Sequence, residues 1–411
     1  MAYMKAHFLL ISLWLLSACN GIIRHKQEKS DRPNVVIIMA DDLGYSDLGC
    51  YGGEIQTPNL DALARKGIRF TQFYNAARCC PTRASLLTGK YPHQVGMAHN
   101  GRTLSPDVPT IAELLRNQGY QTGMTGKWHL SRTQPLGDRE EQLRWLAHLN
   151  DSIIFAPKAS YPYQRGFDEH WGVIWGVVNF YDPFSLVHNG DAISEVPRDF
   201  YMTDFISNKS VELIDQFSKD EAPFFLYIAH TAPHWPLHAL PEDIVKYRGV
   251  YDDGWEELRK RRYQGLIKHG IIDPKSAPLA PNESNAKWAD CQAKAWESRH
   301  MEAHAAMVDR MDQGIGRVIE KLKETGEFEN TVIFFLSDNG ASPERYLKPG
   351  FDRPVQTRDG AEIFYENYNH PGPENTWGYI GAPWAGAINA PFRYWKKESF
   401  EGGNCTPLIV H

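Results

Sequence analysis

From Pro33 onward the chain alternates unbroken apolar runs with stretches whose apolar residues recur at helical spacing. Asn34-Val35-Val36-Ile37-Ile38-Met39 is continuous and β-branched, the pattern of a strand buried on both faces of a parallel sheet. Pro223 to Ala229 and Thr331-Val332-Ile333-Phe334-Phe335-Leu336 read the same way. Helix signals lie between them. Thr57-Pro58 supplies an N-cap with proline at the first helical position, and Gly67 stops the helix that carries Leu60, Leu63 and Ala64. Thr110-Ile111-Ala112-Glu113 is a capping box opening a helix that ends near Gly119, and His304 to Thr325 reads as one long helix. Strands separated by helices over this span predict an α/β fold, a doubly wound, mostly parallel sheet flanked by helices. Ligands of such sheets bind beyond the carboxyl ends of the strands, so the residues there carry the most weight.

Composition narrows the class. With 42% hydrophobic and 23% charged residues, the 411-residue chain can bury a core, which excludes disorder, collagen and coiled coil. The length accommodates two or three domains, or one α/β domain with insertions. A net charge of −6 without any Lys/Arg-rich run excludes nucleic acid as an expected partner, and an anionic ligand must then be held by a few local cations. The N-terminus carries a separate message. Lys5, the apolar run Phe8 to Leu16 and then Leu16-Ser17-Ala18-Cys19 have the layout of an export signal, too short to span a bilayer. Leu-Ser-Ala-Cys resembles the lipobox of bacterial lipoproteins, in which the cysteine becomes the lipidated first residue. Two or more acyl chains on Cys19 suffice for stable anchoring. The expectation is a protein exported to the periplasm or cell surface and lipid-anchored to a bacterial membrane through Cys19, with a signal peptide at 1–18 and a polar tether at 19–32. The spacings of Cys19, Cys50, Cys79, Cys80, Cys291 and Cys405 match no small disulfide scaffold, and their pairing is not deducible.

Two strand ends carry acidic motifs. Asp41-Asp42 follow the first strand, and Ser337-Asp338-Asn339-Gly340 follow the late one. Adjacent carboxylates repel unless a cation neutralises them. Three carboxylates and an amide oxygen form an all-oxygen set suited to a hard divalent cation, Ca²⁺ or Mg²⁺. Taken singly each motif also reads as a plain turn; their shared position at strand ends selects the metal. A third motif is Cys79-Cys80-Pro81-Thr82-Arg83-Ala84-Ser85-Leu86-Leu87-Thr88-Gly89. Pro81 marks a helix start, whose unpaired N–H groups attract anions and would lower the pKa of a cysteine there.

That stretch matches C-x-P-x-R-x-x-x-x-T-G, and so resembles the signature of the sulfatases whose cysteine is oxidised after translation to formylglycine. Only counting from Cys79 puts Pro81 and Arg83 in register, which leaves Cys80 a structural part. The aldehyde has a chemical purpose. Its hydrate carries two hydroxyls on one carbon, one to attack sulfur and the other to expel sulfate, where a serine would be left as a stable alkyl sulfate. The chain also resembles bacterial arylsulfatases, of the alkaline-phosphatase-like superfamily, at Arg32-Pro33-Asn34 to Gly44, Gly126-Lys127-Trp128-His129, Arg165-Gly166-Phe167, Ala232-Pro233-His234-Trp235-Pro236-Leu237, Ser337 to Gly340, Ala390 to Lys396 and Gly402-Gly403. The resemblance implies a sulfatase catalytic domain over 33–411. It implies that Asp41, Asp42, Asp338 and Asn339 bind one divalent cation, calcium ahead of magnesium, which also contacts formylglycine at position 79. Arg83 would support the formylglycine hydrate, with Asp338 as its activating base. Lys127 and Lys396 would hold sulfate oxygens, His234 would protonate the leaving alcohol, and His129 would take the proton that triggers sulfate release. Lys396 is preferred here over its neighbour Lys397. The residue types suit these duties, since histidine titrates near pH ~6.5 and serves as acid or base at neutral pH.

The expected activity is hydrolysis of an aryl sulfate or a sulfated glycan, after a maturation enzyme has acted on Cys79. Two alternatives stay open: a phosphonate or phosphate ester hydrolase of the same superfamily, and a non-catalytic lipoprotein that binds sulfated ligands. Trp128, Trp171, Trp175 and Trp235 lie near the motifs and read either as core or as stacking faces for substrate. Cys405 to Val410 reads as the start of a further buried strand. Relatives continue past it, and the expectation is one nearly complete domain lacking a small C-terminal domain with its own antiparallel sheet.

Overall fold

The computed structural model describes residues 31–133, 155–350 and 352–411. The expected signal peptide, Cys19 and the tether up to residue 30 lie outside the described residues. Among them one sheet is built from β1 (Asn34–Ala40), β2 (Ile68–Phe70), β3 (Gln121–Lys127), β4 (Glu169–Val173), β5 (Leu186–His188), β6 (Asp191–Ala192), β7 (Phe224–Ala229), β8 (Thr331–Ser337) and β9 (Leu408–Val410). Their spatial order is β2-β9-β8-β1-β7-β3-β4-β5-β6. The five central strands, β8-β1-β7-β3-β4, are parallel, and both margins are antiparallel. This is the mostly parallel α/β sheet that the hydrophobic runs predict.

The register explains why β1 is so apolar. Ile37 stands between Tyr227 of β7 and Phe334 of β8, and Met39 between Ala229 and Leu336. A strand paired on both edges and covered on both faces meets no water, and burying its side chains contributes roughly 1.5–3 kcal/mol each. The helix at Pro58–Lys66 starts and stops where Thr57-Pro58 and Gly67 place it, although the Thr57 hydroxyl bonds Gly49 and Asp61 rather than the helix end. The capping box closes as read: Thr110 Oγ1 accepts from the Glu113 amide at 3.1 Å, and Glu113 accepts from the Thr110 amide at 2.6 Å.

Three elements differ from the sequence reading. The long helix runs from Lys294 to Glu324, starting well before His304, because its first turn has no capping side chain to announce it. Of Cys405 to Val410 only Leu408–Val410 is strand, and it lies antiparallel between β8 and β2, within the main sheet. The third is β3, whose sequence Gln121-Thr122-Gly123-Met124-Thr125-Gly126-Lys127 shows no apolar run yet is buried from Thr122 onward. Its hydroxyls find partners: Thr122 donates to the Gly166 carbonyl at 2.7 Å, and Thr125 pairs with Ser210 at 2.8 Å. Gly126 has φ +95°, and a Cβ there would lie 1.9 Å from the Ala229 carbonyl oxygen. The glycine therefore lets β3 close on β7.

Cys50, Cys79, Cys80, Cys291 and Cys405 are all free thiols. No helix among the described residues is long and apolar enough to cross a membrane. Trp128 is fully buried and donates to the Ser160 carbonyl at 2.9 Å, which makes it core.

The close approach at Gly126 gives a stability test. Gly126→Ala should destabilise the fold by about 2 kcal/mol more than Gly326→Ala, since Gly326 shares the positive φ but its Cβ would meet open space. Denaturant midpoints measure the difference, and equal losses would show that the contact is not limiting.

Candidate active site

The carboxyl ends of β1, β3, β7 and β8 lie side by side, and each delivers part of one cluster. Past β1 the chain turns through Asp41 and Asp42, the latter left-handed at φ 68°, a conformation Asp tolerates better than most residues. The turn is pinned from two sides. The Asp41 amide donates to the Ala232 carbonyl at 3.0 Å, the Asp42 amide to Asp338 Oδ1 at 3.3 Å, and the Leu43 amide to Ser337 Oγ at 3.2 Å. Farther along, Asp47 accepts from the Gly44 amide (2.7 Å), Arg262 (2.6 Å) and His304 (3.0 Å), which anchors the loop to two helices.

The Cys79–Thr88 helix opens with Arg78 as its N-cap and Cys79 as its first residue, so the Cys79 side chain sits at the helix N-terminus as predicted. Cys80 donates to the His129 carbonyl at 3.0 Å, a packing contact. One turn on, Arg83 reaches Asp338 Oδ2 through Nε (3.1 Å) and Nη2 (2.8 Å), and its Nη1 donates to the Lys127 carbonyl at 3.0 Å. Lys127, the last residue of β3, places its ammonium on Asp41 Oδ2. His234, beyond β7, donates from Nδ1 to the Trp235 carbonyl at 2.5 Å and holds Nε2 at 3.4 Å from Asp42 Oδ2. Asn339 donates to Asp42 Oδ1 at 2.6 Å. Lys396 enters from the late loop, tied by its amide to the Ala341 carbonyl, with Nζ 2.7 and 3.0 Å from the two Asp42 oxygens. Lys397 turns away and pairs with Glu344. All ten residues singled out from sequence thus meet in one cluster, and none is more than 5% exposed.

Asp41, Asp42 and Asp338 carry as many potential negative charges as Arg83, Lys127 and Lys396 carry positive ones. Burial opposes ionisation of Asp41, but Lys127, then His234 and Arg83, outweigh it and hold the carboxyl below its usual range. Burial and the neighbouring Asp41 raise Asp338 despite Arg83. Lys396 stays charged because Asp42, Cys79 and Glu344 overcome its burial. Burial pushes His129 well below the usual imidazole range, with Lys127, Arg83 and Lys396 adding to it, so the ring is neutral. His234 is lowered by burial, with Asp42 offsetting part of the effect. The Cys79 thiol departs from expectation. Full burial raises its pKa in spite of Lys396 and Lys127, so a helix N-terminus alone does not make it a thiolate.

The donor set fits a divalent cation. Oxygens of Asp41 and Asp42 with a His234 nitrogen, and oxygens of Asp41 and Asp338 with the Cys79 sulfur, each lie within 4.8 Å of one another. Asp41 Oδ1 and Asn339 Oδ1 are buried without a hydrogen-bond partner among the described residues. Leaving such atoms unpaired costs roughly 1–3 kcal/mol apiece, and a hard cation with oxygen ligands removes that cost. The sequence assigned no role to Ser337, Asp47 or Gly176, which support this cluster: Ser337 and Asp47 pin the turn after β1, and Gly176 lies against the His129 ring. Ser337 stands inside the Ser337-Asp338-Asn339-Gly340 motif and could have been suspected; the others carry no local signal.

The sulfatase family model matches residues 33–409. An uncharacterised sulfatase of Schizosaccharomyces pombe is 34% identical, with 94% of this chain and 71% of that protein covered. An arylsulfatase of Klebsiella aerogenes is 33% identical, covering 93% of this chain and 81% of the relative. The solved structure of Ps i-CgsB in complex with k-i-k-neocarrahexaose is 26% identical with a TM-score of 0.60; the alignment covers 92% of this chain, which spans 66% of that one, just under two thirds. A match running from β1 into β9, on a sheet whose strand ends gather the motif residues, establishes that the chain belongs to the sulfatase family, in the alkaline-phosphatase-like superfamily of α/β folds.

Proposed function

We propose that this chain hydrolyses sulfate monoesters to alcohol and sulfate, with Cys79 converted to formylglycine and one divalent cation, calcium ahead of magnesium, held by Asp41, Asp42, Asp338 and Asn339. The observation that carries the reading is the buried cluster itself, in which three carboxylates, two unpaired oxygens and three cations surround a cysteine at a helix N-terminus. When present, the formylglycine hydrate supplies the nucleophile with an internal release step, and the cation supplies Lewis-acid charge for the sulfate oxygens.

The chain's own residues do the rest. Arg83 fixes the orientation of Asp338 through two N–H groups and so aims it at position 79. Lys127 and Lys396 rest on Asp41 and Asp42, the carboxylates that ligation would engage, which frees both ammonium groups to hold sulfate oxygens. With Nδ1 committed to the Trp235 carbonyl, His234 handles protons at Nε2 and gives one to the departing alcohol. His129 is neutral and its Nδ1 has no partner among the described residues, as suits a group that must accept a proton. Its ring lies on Gly176, where a Cβ would come 2.1 Å from His129 Cε1.

The Klebsiella relative's name supports an aryl sulfate, and the oligosaccharide bound to Ps i-CgsB supports a sulfated glycan. Residues 1–19 support export and anchoring through Cys19, and Cys79 requires a maturation enzyme as partner.

Turnover of 4-nitrophenyl sulfate should exceed that of 4-nitrophenyl phosphate, and should be abolished by chelator and by Cys79→Ala; on an alkyl sulfate, His234→Ala should cost roughly 10²- to 10⁴-fold. Mass spectrometry of the native peptide containing Cys79 should show a loss of about 18 Da; an intact thiol in active protein would sink the proposed nucleophile. Gly176→Ala should leave the thermal midpoint nearly unchanged while displacing His129 and lowering kcat roughly 10²-fold. Wild-type kcat in that variant would show that the His129 position is not needed.

A further inference from the structure

The reaction just described leaves a carboxylate beside the site without a task. Glu344, in the loop after Asp338-Asn339, is only 11% exposed at its side chain. Its Oε2 accepts from the Trp235 indole N–H at 2.9 Å and from Ser342 Oγ at 3.3 Å. Its Oε1 accepts from the Tyr346 hydroxyl at 3.2 Å and from the Lys397 ammonium. Both larger partners are chain neighbours of site residues. The Trp235 carbonyl takes the His234 Nδ1 proton at 2.5 Å, and Lys397 adjoins Lys396. His234 and Lys396 in turn converge on the Asp42 carboxylate, at 3.4 Å and 2.7 Å. Glu344 therefore closes a ring that runs from Asp42 through His234, Trp235, Glu344, Lys397 and Lys396 back to Asp42.

Each link has a geometric consequence. The Trp235 ring is wedged between Tyr346 and Tyr379, with centroids at 5.3 and 5.2 Å, and its one polar atom points at Glu344. Fixing the indole fixes the carbonyl that orients the His234 ring. Burial opposes the Glu344 charge, but Lys396, Lys397 and His234 keep it ionised below the usual range, so it is a full acceptor for both arms.

We infer that Glu344 is a positioning residue for proton donation to the leaving group: through Trp235 it sets the His234 ring, and through Lys397 it aligns the segment that carries Lys396. The inference rests on the reading of His234 as the acid of sulfate ester hydrolysis. It predicts a signature that loss of fold would not give, because only a leaving group that needs a proton suffers when the donor is misaligned. An alkyl sulfate needs one; 4-nitrophenyl sulfate, which departs as a stabilised phenolate, needs little help.

The test measures kcat/KM of the metal-loaded, matured full chain on an alkyl sulfate and on 4-nitrophenyl sulfate. In Glu344→Ala the alkyl sulfate should lose roughly 10²-fold and 4-nitrophenyl sulfate at least about tenfold less than that. Trp235→Phe, which keeps the ring and removes the N–H, should reproduce the same split. Glu344→Gln, whose amide oxygen can still accept from Trp235, should recover most of the alkyl sulfate rate, and it carries the test if the alanine variant does not fold. His234→Ala is the reference and should show the largest split. Equal losses on both substrates in Glu344→Ala and Trp235→Phe, beside a split in His234→Ala, would overturn the inference alone. No split in His234→Ala would remove the acid assignment, and the inference with it.

Discussion

Charge balance in a dry place governs this molecule. Asp41, Asp42 and Asp338 are buried together with Arg83, Lys127 and Lys396, and each carboxylate lies against one of these cations. Leaving one buried ion unpaired costs roughly 3–5 kcal/mol, so the six side chains stand or fall as a group. They come from five places distant in the chain. The two aspartates of β1, the lysine of β3 and the aspartate of β8 meet only because the central strands are parallel and end at one edge. The sheet order is in this sense the condition of the electrostatics, and the apolar strands supply the stability that a polar cluster of this size does not.

The elements legible in the sequence are those whose burial is written in side-chain chemistry. β1, β7 and β8 are near-continuous apolar runs because both their faces are covered, and the Thr110-Glu113 box announces a helix by a bond it actually makes. β3 is equally buried yet stayed hidden, because it achieves close contact with glycines and hydroxyls rather than with large apolar groups. The early turns of the Lys294–Glu324 helix were silent for want of a cap.

The site divides in the same manner. The residues proposed to hold ligand or substrate sit at strand ends and inside contiguous motifs, and the resemblance of those motifs to the sulfatases assembled the list of ten. Asp47, Gly176 and Glu344 meet the cluster or its chain neighbours from far along the sequence: Asp47 bonds Arg262 and His304, Gly176 lies under the His129 ring, and Glu344 bonds the Trp235 indole. Nothing in their local sequence marks them. The Cys79 thiol teaches a related lesson, since the helix terminus that a sequence reveals was outweighed by a burial that it does not.

Asp42 and His129 both have positive φ, at 68° and 59°. Holding a side-chain-bearing residue in that region costs roughly 1–3 kcal/mol, borne by the surrounding hydrogen bonds. At these two places the backbone filters sequence before chemistry does. Gly, Asn, Asp and His are the residue types that tolerate the left-handed region, and β-branched residues are excluded whatever their reactivity. Drift at both positions is therefore confined to a few neighbours of the present residues. Among those few, only some can hold a cation or move a proton, so shape and chemistry together leave the chain almost no alternatives there.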